Sequence, residues 1–262
     1  MRFLALFLLA AAAFAQDAAN GNLKLIPTLW TQTAPEWRGL CEQAYHVARG
    51  AFDRALKDKR STAALEQKGN FSKLPPAIVL DIDETVLDNI PGQARQVRNG
   101  TGFVLDTFNK WVMEAKAEPI PGAVQFCQYA ASKKVRVFFV TNREASQETA
   151  TRGNLKRHGF PLADDEDTVL CRGEKPNWTS DKGTRRAEIA TKYRILMLVG
   201  DDLGDFMPGI RVSYTRRLEL ARPFAANWGT KWIILPNPSY GSWEQMLLEE
   251  KKPLVNFVDT KE

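Results

Sequence analysis

From residue 76 onward, short and nearly continuous apolar runs alternate with amphipathic stretches of helical period. The runs at 77–80, 135–140, 168–171, 195–199 and 231–235 predict strands. The stretches at 104–115, 123–133, 145–157, 185–193 and 242–250 predict helices. Strands without polar alternation are buried on both faces, so the pattern predicts an α/β fold, a Rossmann-like parallel sheet with helices on both faces. Upstream, Trp37, Leu40, Ala44, Val47, Ala51 and Ala55 recur at helical spacing, with Pro35 in the first turn, and predict one long helix over 34–57. The polar stretch 57–73 and Pro75-Pro76 then break the chain. Three parts are expected after the leader: a helical appendage at 16–74, a core at 75–236 and a C-terminal helical segment at 237–262.

The leader is read from Arg2, the apolar stretch 3–14 and Ala13-Phe14-Ala15, which predict an export signal cleaved after Ala15. The stretch is too short for an ordinary membrane-spanning helix. The first cysteine after the cleavage site is Cys41, so no lipid anchor is expected, and the protein should be periplasmic or secreted. The formal charge of +5 fits an anionic small substrate, and without a dense Lys/Arg block interleaved with aromatics no polymeric nucleic acid is expected as a partner. A homo-oligomer stays open. Cys41, Cys127 and Cys171 have neither disulfide-framework nor zinc-ligand spacing and read as buried apolar residues, although an oxidising compartment leaves one pairing open.

In a parallel sheet, ligands sit beyond the carboxyl ends of the strands. The first predicted strand ends in Asp81-Ile82-Asp83, and extended backbone puts two such carboxylates on one face. Their repulsion calls for a cation or a shared proton, an arrangement suited to a metal-assisted nucleophile beside an acid/base. By itself the stretch reads equally as a buried strand with a charged exit turn. The second strand ends in Thr141-Asn142-Arg143, which also reads as an ordinary capping turn. The fourth ends in Gly200-Asp201-Asp202-Leu203-Gly204-Asp205, which also reads as a solvated turn. Between them Lys182 opens a helix, with Ser180 or Asp181 suited to the N-cap. A cation there opposes the helix dipole unless an anion is bound nearby, while the alternative is a surface lysine.

In order, Asp81-Ile82-Asp83-Glu84-Thr85, Thr141-Asn142-Arg143, Lys182 and Gly200-Asp201-Asp202-x-x-Asp205 resemble the four motifs of the haloacid dehalogenase-like phosphatases. The segments at 137–143 (VFFVTNR), 198–206 (LVGDDLGDF) and 235–243 (LPNPSYGSW) are similar to the class C acid phosphatases, which include lipoprotein members with 5′-nucleotidase activity. The resemblance implies a haloacid dehalogenase-like core with a small helical cap inserted near 88–119. It implies a Mg²⁺-dependent phosphomonoesterase in which Asp81 is the nucleophile and Asp83 the acid/base. Mg²⁺ would be held by Asp81, the Asp83 carbonyl and Asp201, and phosphate by Thr141 and Lys182 with the Asn142 backbone assisting, while Asp205 would orient Lys182 or a metal-bound water. Trp111 and Tyr240 would form an aromatic pair for a nucleobase or aryl leaving group, while Trp111 also reads as the apolar face of its helix. Asp202 and Gly204 stand where lipoprotein members are expected to carry Asn and Asp, and the lipid-bearing cysteine is absent.

Two rival activities stay open, a phosphoprotein phosphatase and a non-catalytic phosphate-binding or storage protein. Arg157-His158-Gly159 copies the start of a histidine phosphatase signature but reads as a helix end, with Gly159 as a C-terminal cap. The acidic run 164–167 lacks ordered ligand spacing and reads as a solvated loop rather than a calcium site.

Overall fold

The computed structural model describes residues 23–250 and 252–259, so the leader and its cleavage site lie outside the described residues. Residues 23–33 form helix α1 and Pro35–Lys57 form α2, with Pro35 in the first turn, where its missing N–H is harmless. Then follow β1 (Pro76–Leu80), β2 (Leu87–Asp88), α3 (Ile90–Arg98), α4 (Leu105–Glu114) and β3 (Glu118–Pro119). Next come α5 (Ala123–Ser132), β4 (Arg136–Glu144), α6 (Glu148–Arg157), β5 (Val169–Arg172), α7 (Gly183–Lys192) and β6 (Arg194–Gly200). The last elements of regular helix or strand are α8 (Tyr214–Ala221), β7 (Trp232–Ile234) and α9 (Ser242–Glu249).

The five longer-range strands run parallel in the order β5-β4-β1-β6-β7, so β1 lies at the centre. Alternation along each strand divides the core in two. Ile78 and Leu80 pack with Val137, Phe139 and the inner face of α2 and α5, where Phe52 and Phe126 meet edge to face at 6.1 Å. Ala77 and Val79 point the other way and pack with Phe138, Val140, Ile189 of α7 and Trp232. This burial on both sides is what the unbroken apolar runs predict. Arg194 ties the appendage to the sheet by donating to the carbonyls of Ala55, Leu56, Asp58 and Ser61 at and just beyond the C-terminal end of α2.

Several sequence expectations need correction. The segment Thr141-Asn142-Arg143 is no turn, because β4 runs on to Glu144. Helix α7 begins at Gly183 with Lys182 at its N-cap, and Asp181 caps from one residue earlier by accepting from the Gly183 N–H at 2.7 Å. Helix α3 was not predicted, since its buried positions include Gly92, Gln93 and Gln96, which give no apolar period. The β2–β3 pair, two residues in each strand, was likewise below the length that patterning detects. Together β2, α3, α4 and β3 form an excursion that leaves the sheet after β1 and returns before α5. Cys41, Cys127 and Cys171 are buried and unpaired, and burial pushes the Cys41 thiol up to about 12 and raises the other two. Among the described residues no helix is long and apolar enough to cross a membrane.

Candidate active site

The carboxyl ends of β1, β4 and β6 meet the N-terminal end of α7. Strand β1 stops at Leu80, so Asp81 and Asp83 lie in the turn beyond it rather than on one strand face. The Asp81 N–H still donates to Val199 at 2.9 Å, which fixes its backbone to β6. The Ile82 carbonyl then accepts from Thr85, Val86 and Leu87, and Glu84 takes a left-handed φ of +56°. This tight turn points the two aspartates at different cations. The buried Lys182 ammonium donates to Asp81 Oδ1 and, at 2.6 Å, to Asp205 Oδ1. Asp83 Oδ1 instead accepts from Arg143 Nε at 2.9 Å and Asn89 Nδ2 at 2.8 Å, and its Oδ2 from Thr141 Oγ1 at 3.2 Å.

Asp205 has no free oxygen. Its Oδ2 accepts the N–H groups of Asp201 and Asp202 at 3.1 and 3.0 Å, while Oδ1 holds Lys182. Gly200 makes this closure feasible, because a Cβ there would lie 2.2 Å from Asp205 Oδ2. Asp201 Oδ1 accepts from Thr85 Oγ1 at 3.0 Å and Oδ2 from Asn237 Nδ2 at 2.8 Å. Asp202 turns outward and accepts from Ser242 N at 2.7 Å, anchoring α9.

Burial raises the Asp81 carboxyl to about 7, with Lys182 opposing the rise and Asp205 and Asp83 adding to it. Burial likewise lifts Asp201 well above its ordinary value, helped by Asp81 and Asp205. Burial alone would lower Lys182, but Asp205 and Asp81 outweigh it and hold the ammonium protonated. Lys182 thus pairs with two buried carboxylates, Asp81 and Asp205, beside the half-buried Asp201. Asp81, Asp201 and Asp205 each offer an oxygen within 4.8 Å of the others, an all-oxygen set suited to a hard divalent cation. The Asp83 carboxylate is outside this group. Asp81 bonds Lys182 through Oδ1, and the Asp201 oxygens accept only from the neutral Thr85 hydroxyl and Asn237 amide. Asp205 holds both the Lys182 ammonium and two backbone N–H groups, so Asp81 and Asp201 are the carboxylates better placed to take a metal.

A pH dependence follows for the metal-free protein. The native Asp81 carboxyl keeps a proton between its ordinary value of 3.8 and about 7, where the unfolded chain has lost it. Native stability therefore falls as pH rises through that window, and the raised Asp201 adds to the fall. Melting temperature in chelator is expected to drop across this range, and a saturating divalent cation to flatten the slope. A flat profile in chelator would contradict the burial argument.

Thr141 is fully buried, and its Oγ1 also accepts from Arg143 N at 3.0 Å. Asn142 is exposed and donates from Nδ2 to the Ser180 carbonyl at 3.0 Å. Trp111 is not where the aromatic-pair expectation needs it. It is 5 % exposed, packs against Gly92, and its indole N–H donates to Asn89 Oδ1 at 2.9 Å. A buried indole N–H needs such a partner, and here the partner is the amide that holds Asp83. The ring beside Tyr240 is Phe103, at 6.2 Å and 46 % exposed. Arg143, Asn89, Asn237 and Phe103 were not predicted as site residues. Asn237 lies in LPNPSYGSW and Arg143 in VFFVTNR, so both had a signal in quoted segments, whereas Asn89 and Phe103 lie outside them. His158 caps the C-terminus of α6 and contacts the Ala117 carbonyl at 3.0 Å, as a helix end should. In the acidic run, Asp165 pairs with Arg136 and Asp167 with Arg152.

A family model described as HAD superfamily, subfamily IIIB (acid phosphatase), matches residues 10–243. The class C acid phosphatase from Bacillus anthracis is 34% identical with a TM-score of 0.76, covering 90% of this chain and 93% of that one. Its tungstate-bound form matches with the same TM-score of 0.76. The stem 28 kDa glycoprotein of Glycine max is 26% identical over 152 residues, covering 55% of this chain and 58% of that protein. Acid phosphatase 1 of Solanum lycopersicum is 29% identical over 150 residues, with 55% and 56% covered. This chain spans little more than half the length of those plant relatives.

Proposed function

Because the chain belongs to subfamily IIIB of the HAD superfamily, the acid phosphatases, we propose that it is an exported, Mg²⁺-dependent phosphomonoesterase acting on nucleoside 5′-monophosphates and aryl phosphates. The carrying observation is the separation of the two aspartates, with Asp81 on Lys182 and Asp83 on Arg143. Environments that set two carboxyls apart are the signature of distinct nucleophile and acid/base roles. The tetrahedral oxyanion bound by the Bacillus anthracis relative supports an oxyanion site in the same fold.

In this reading an Asp81 oxygen forms a bond to phosphorus as the ester P–O bond breaks, and the leaving oxygen takes its electron pair and a proton from Asp83. Asp83 then removes a proton from water, whose oxygen attacks the aspartyl-phosphate and releases inorganic phosphate and the Asp81 carboxylate. Arg143 and Asn89 hold Asp83 Oδ1 in place for both transfers. Lys182, Thr141 and Asn142 bind phosphoryl oxygens, and Asp205 fixes the ammonium. When bound by Asp81, the Asp83 carbonyl and Asp201, Mg²⁺ would supply charge neutralisation between the anionic nucleophile and the phosphate.

Phe103 and Tyr240, with Phe108 at 5.7 Å from Phe103, support a stacking platform for a base or aryl group. Phosphate release should be measured over nucleotides, aryl, sugar and small alkyl phosphates and phosphopeptides, with Mg²⁺ or chelator. Mg²⁺-stimulated release is expected, fastest from nucleotides and aryl esters. Tight phosphate binding without turnover would overturn the enzymatic reading, and preference for phosphopeptides the substrate class. Phe103→Ala is expected to raise KM for a mononucleotide about 5- to 150-fold, the worth of one stacked base, and to leave a small alkyl phosphate unchanged.

A further inference from the structure

Lys182, Arg185 and Arg186 lie along one face at the start of α7, and all three are buried. Two of them have carboxylate partners. Lys182 binds Asp81 and Asp205, and Arg186 binds Glu66 at 2.7 Å while donating to the carbonyls of Gly204 and Asp205. Arg185, with 0 % exposure, donates only to neutral groups. Its Nη1 donates to the carbonyls of Thr141 and, at 3.4 Å, Leu170; its Nη2 donates to Asn142 Oδ1 at 2.7 Å and the Thr179 carbonyl at 2.8 Å. The buried Nε is without a partner.

A buried guanidinium without a counter-ion is expensive, and its cost needs a compensating gain. Burial lowers Arg185 to about 10, which still leaves it protonated at neutral pH. Three of its four acceptors belong to the two segments that flank the phosphate position, 141–142 from β4 and the approach to Lys182. Asn142 closes the same link from the other side by donating to Ser180. The guanidinium therefore does what Lys182 cannot, since a planar fork holds several acceptors in fixed directions.

We propose that Arg185 is a positioning residue for the phosphoryl group, fixing Thr141 and Asn142 against the 179–182 segment, with a guanidinium that bonds only neutral acceptors and so keeps its charge for the incoming dianion as well as for Asp81 nearby. Its premise is the assignment of Thr141 and Asn142 to phosphate binding made above.

The test is inhibition of the Mg²⁺-saturated enzyme by inorganic phosphate, alongside kcat and KM for a chromogenic phosphomonoester. Arg185→Met is expected to raise the phosphate inhibition constant and KM together by about tenfold or more, and Arg185→Lys to recover part of the loss. A merely structural role would reduce the active fraction and leave both constants in place, and that result, or an inhibition constant within about twofold of the parent, overturns the proposal. If Arg185→Met does not fold, Arg185→Lys carries the test on its own, with a rise of about threefold in both constants expected and no change overturning the proposal. Thr141→Val separates the premise. Unchanged phosphate inhibition in Thr141→Val removes the phosphate assignment itself, whereas a rise there with none in Arg185→Met removes only the role of Arg185.

Discussion

Asp81→Asn should lower turnover of a chromogenic phosphomonoester by about four orders of magnitude or more, because a catalytic nucleophile has no partial substitute. The fold should survive. The amide oxygen still accepts from Lys182, Lys182 keeps Asp205, and the backbone contact from residue 81 to Val199 does not involve the side chain. Asparagine also mimics the neutral carboxyl that burial already favours at Asp81. In chelator the variant should therefore melt no lower than the parent, and it should lose the downward slope with pH that Asp81 causes. The added stability from Mg²⁺ should shrink, since one of the two available carboxylate ligands has gone. Turnover near the parent value sinks the nucleophile assignment, whereas loss of turnover with loss of the fold does not test it.

Lys182→Met should be the most damaging single change to stability. It removes the one ammonium that faces Asp81 and Asp205, each under 9 % exposed, and leaves two buried like charges. Breaking a buried ion pair from one side costs about 3–5 kcal/mol, more than the pair contributes when intact. Denaturant unfolding in chelator reads this directly. The loss should be largest at high pH and ease as pH falls, because Asp81, already raised to about 7, takes up a proton more readily once the ammonium is gone. Mg²⁺ should restore part of the stability but not the activity, as the phosphoryl group loses its charged donor. A variant as stable as its parent in chelator at pH 8 would mean that Lys182 is not the counter-charge.

The strands were legible because their burial is two-sided and their runs are short. The three motif-bearing strand ends were legible because polar residues following an apolar strand have few reasons to be there. Trp111 was harder, since an indole on a helical period looks the same whether it stacks on a ligand or fills a core. Its partner Asn89 lies on another element. Arg143 and Arg185 were hidden for a different reason. Arginine is usually solvated, and only long-range contacts, from Arg143 to Asp83 and from Arg185 to Thr141, reveal that these two are not. Helix α3 was missed because its buried positions are Ile90, Gly92, Gln93 and Gln96, a set with one large apolar side chain and so no apolar period.

The central place of β1 in the sheet has a consequence for biogenesis. It is the first strand of the sheet to leave the ribosome, yet its two neighbours, β4 and β6, begin only at Arg136 and Arg194. Until both have emerged, the Asp81 turn lacks at least one of its walls, and Asp201 and Asp205, which follow β6 in the chain, are the last of the charged cluster to be made. Burial of the charged cluster is thus a late event of synthesis, deferred until nearly the whole chain is available. A truncated chain ending before Arg194 lacks Asp201, Asp205 and the Val199 carbonyl that holds the Asp81 N–H.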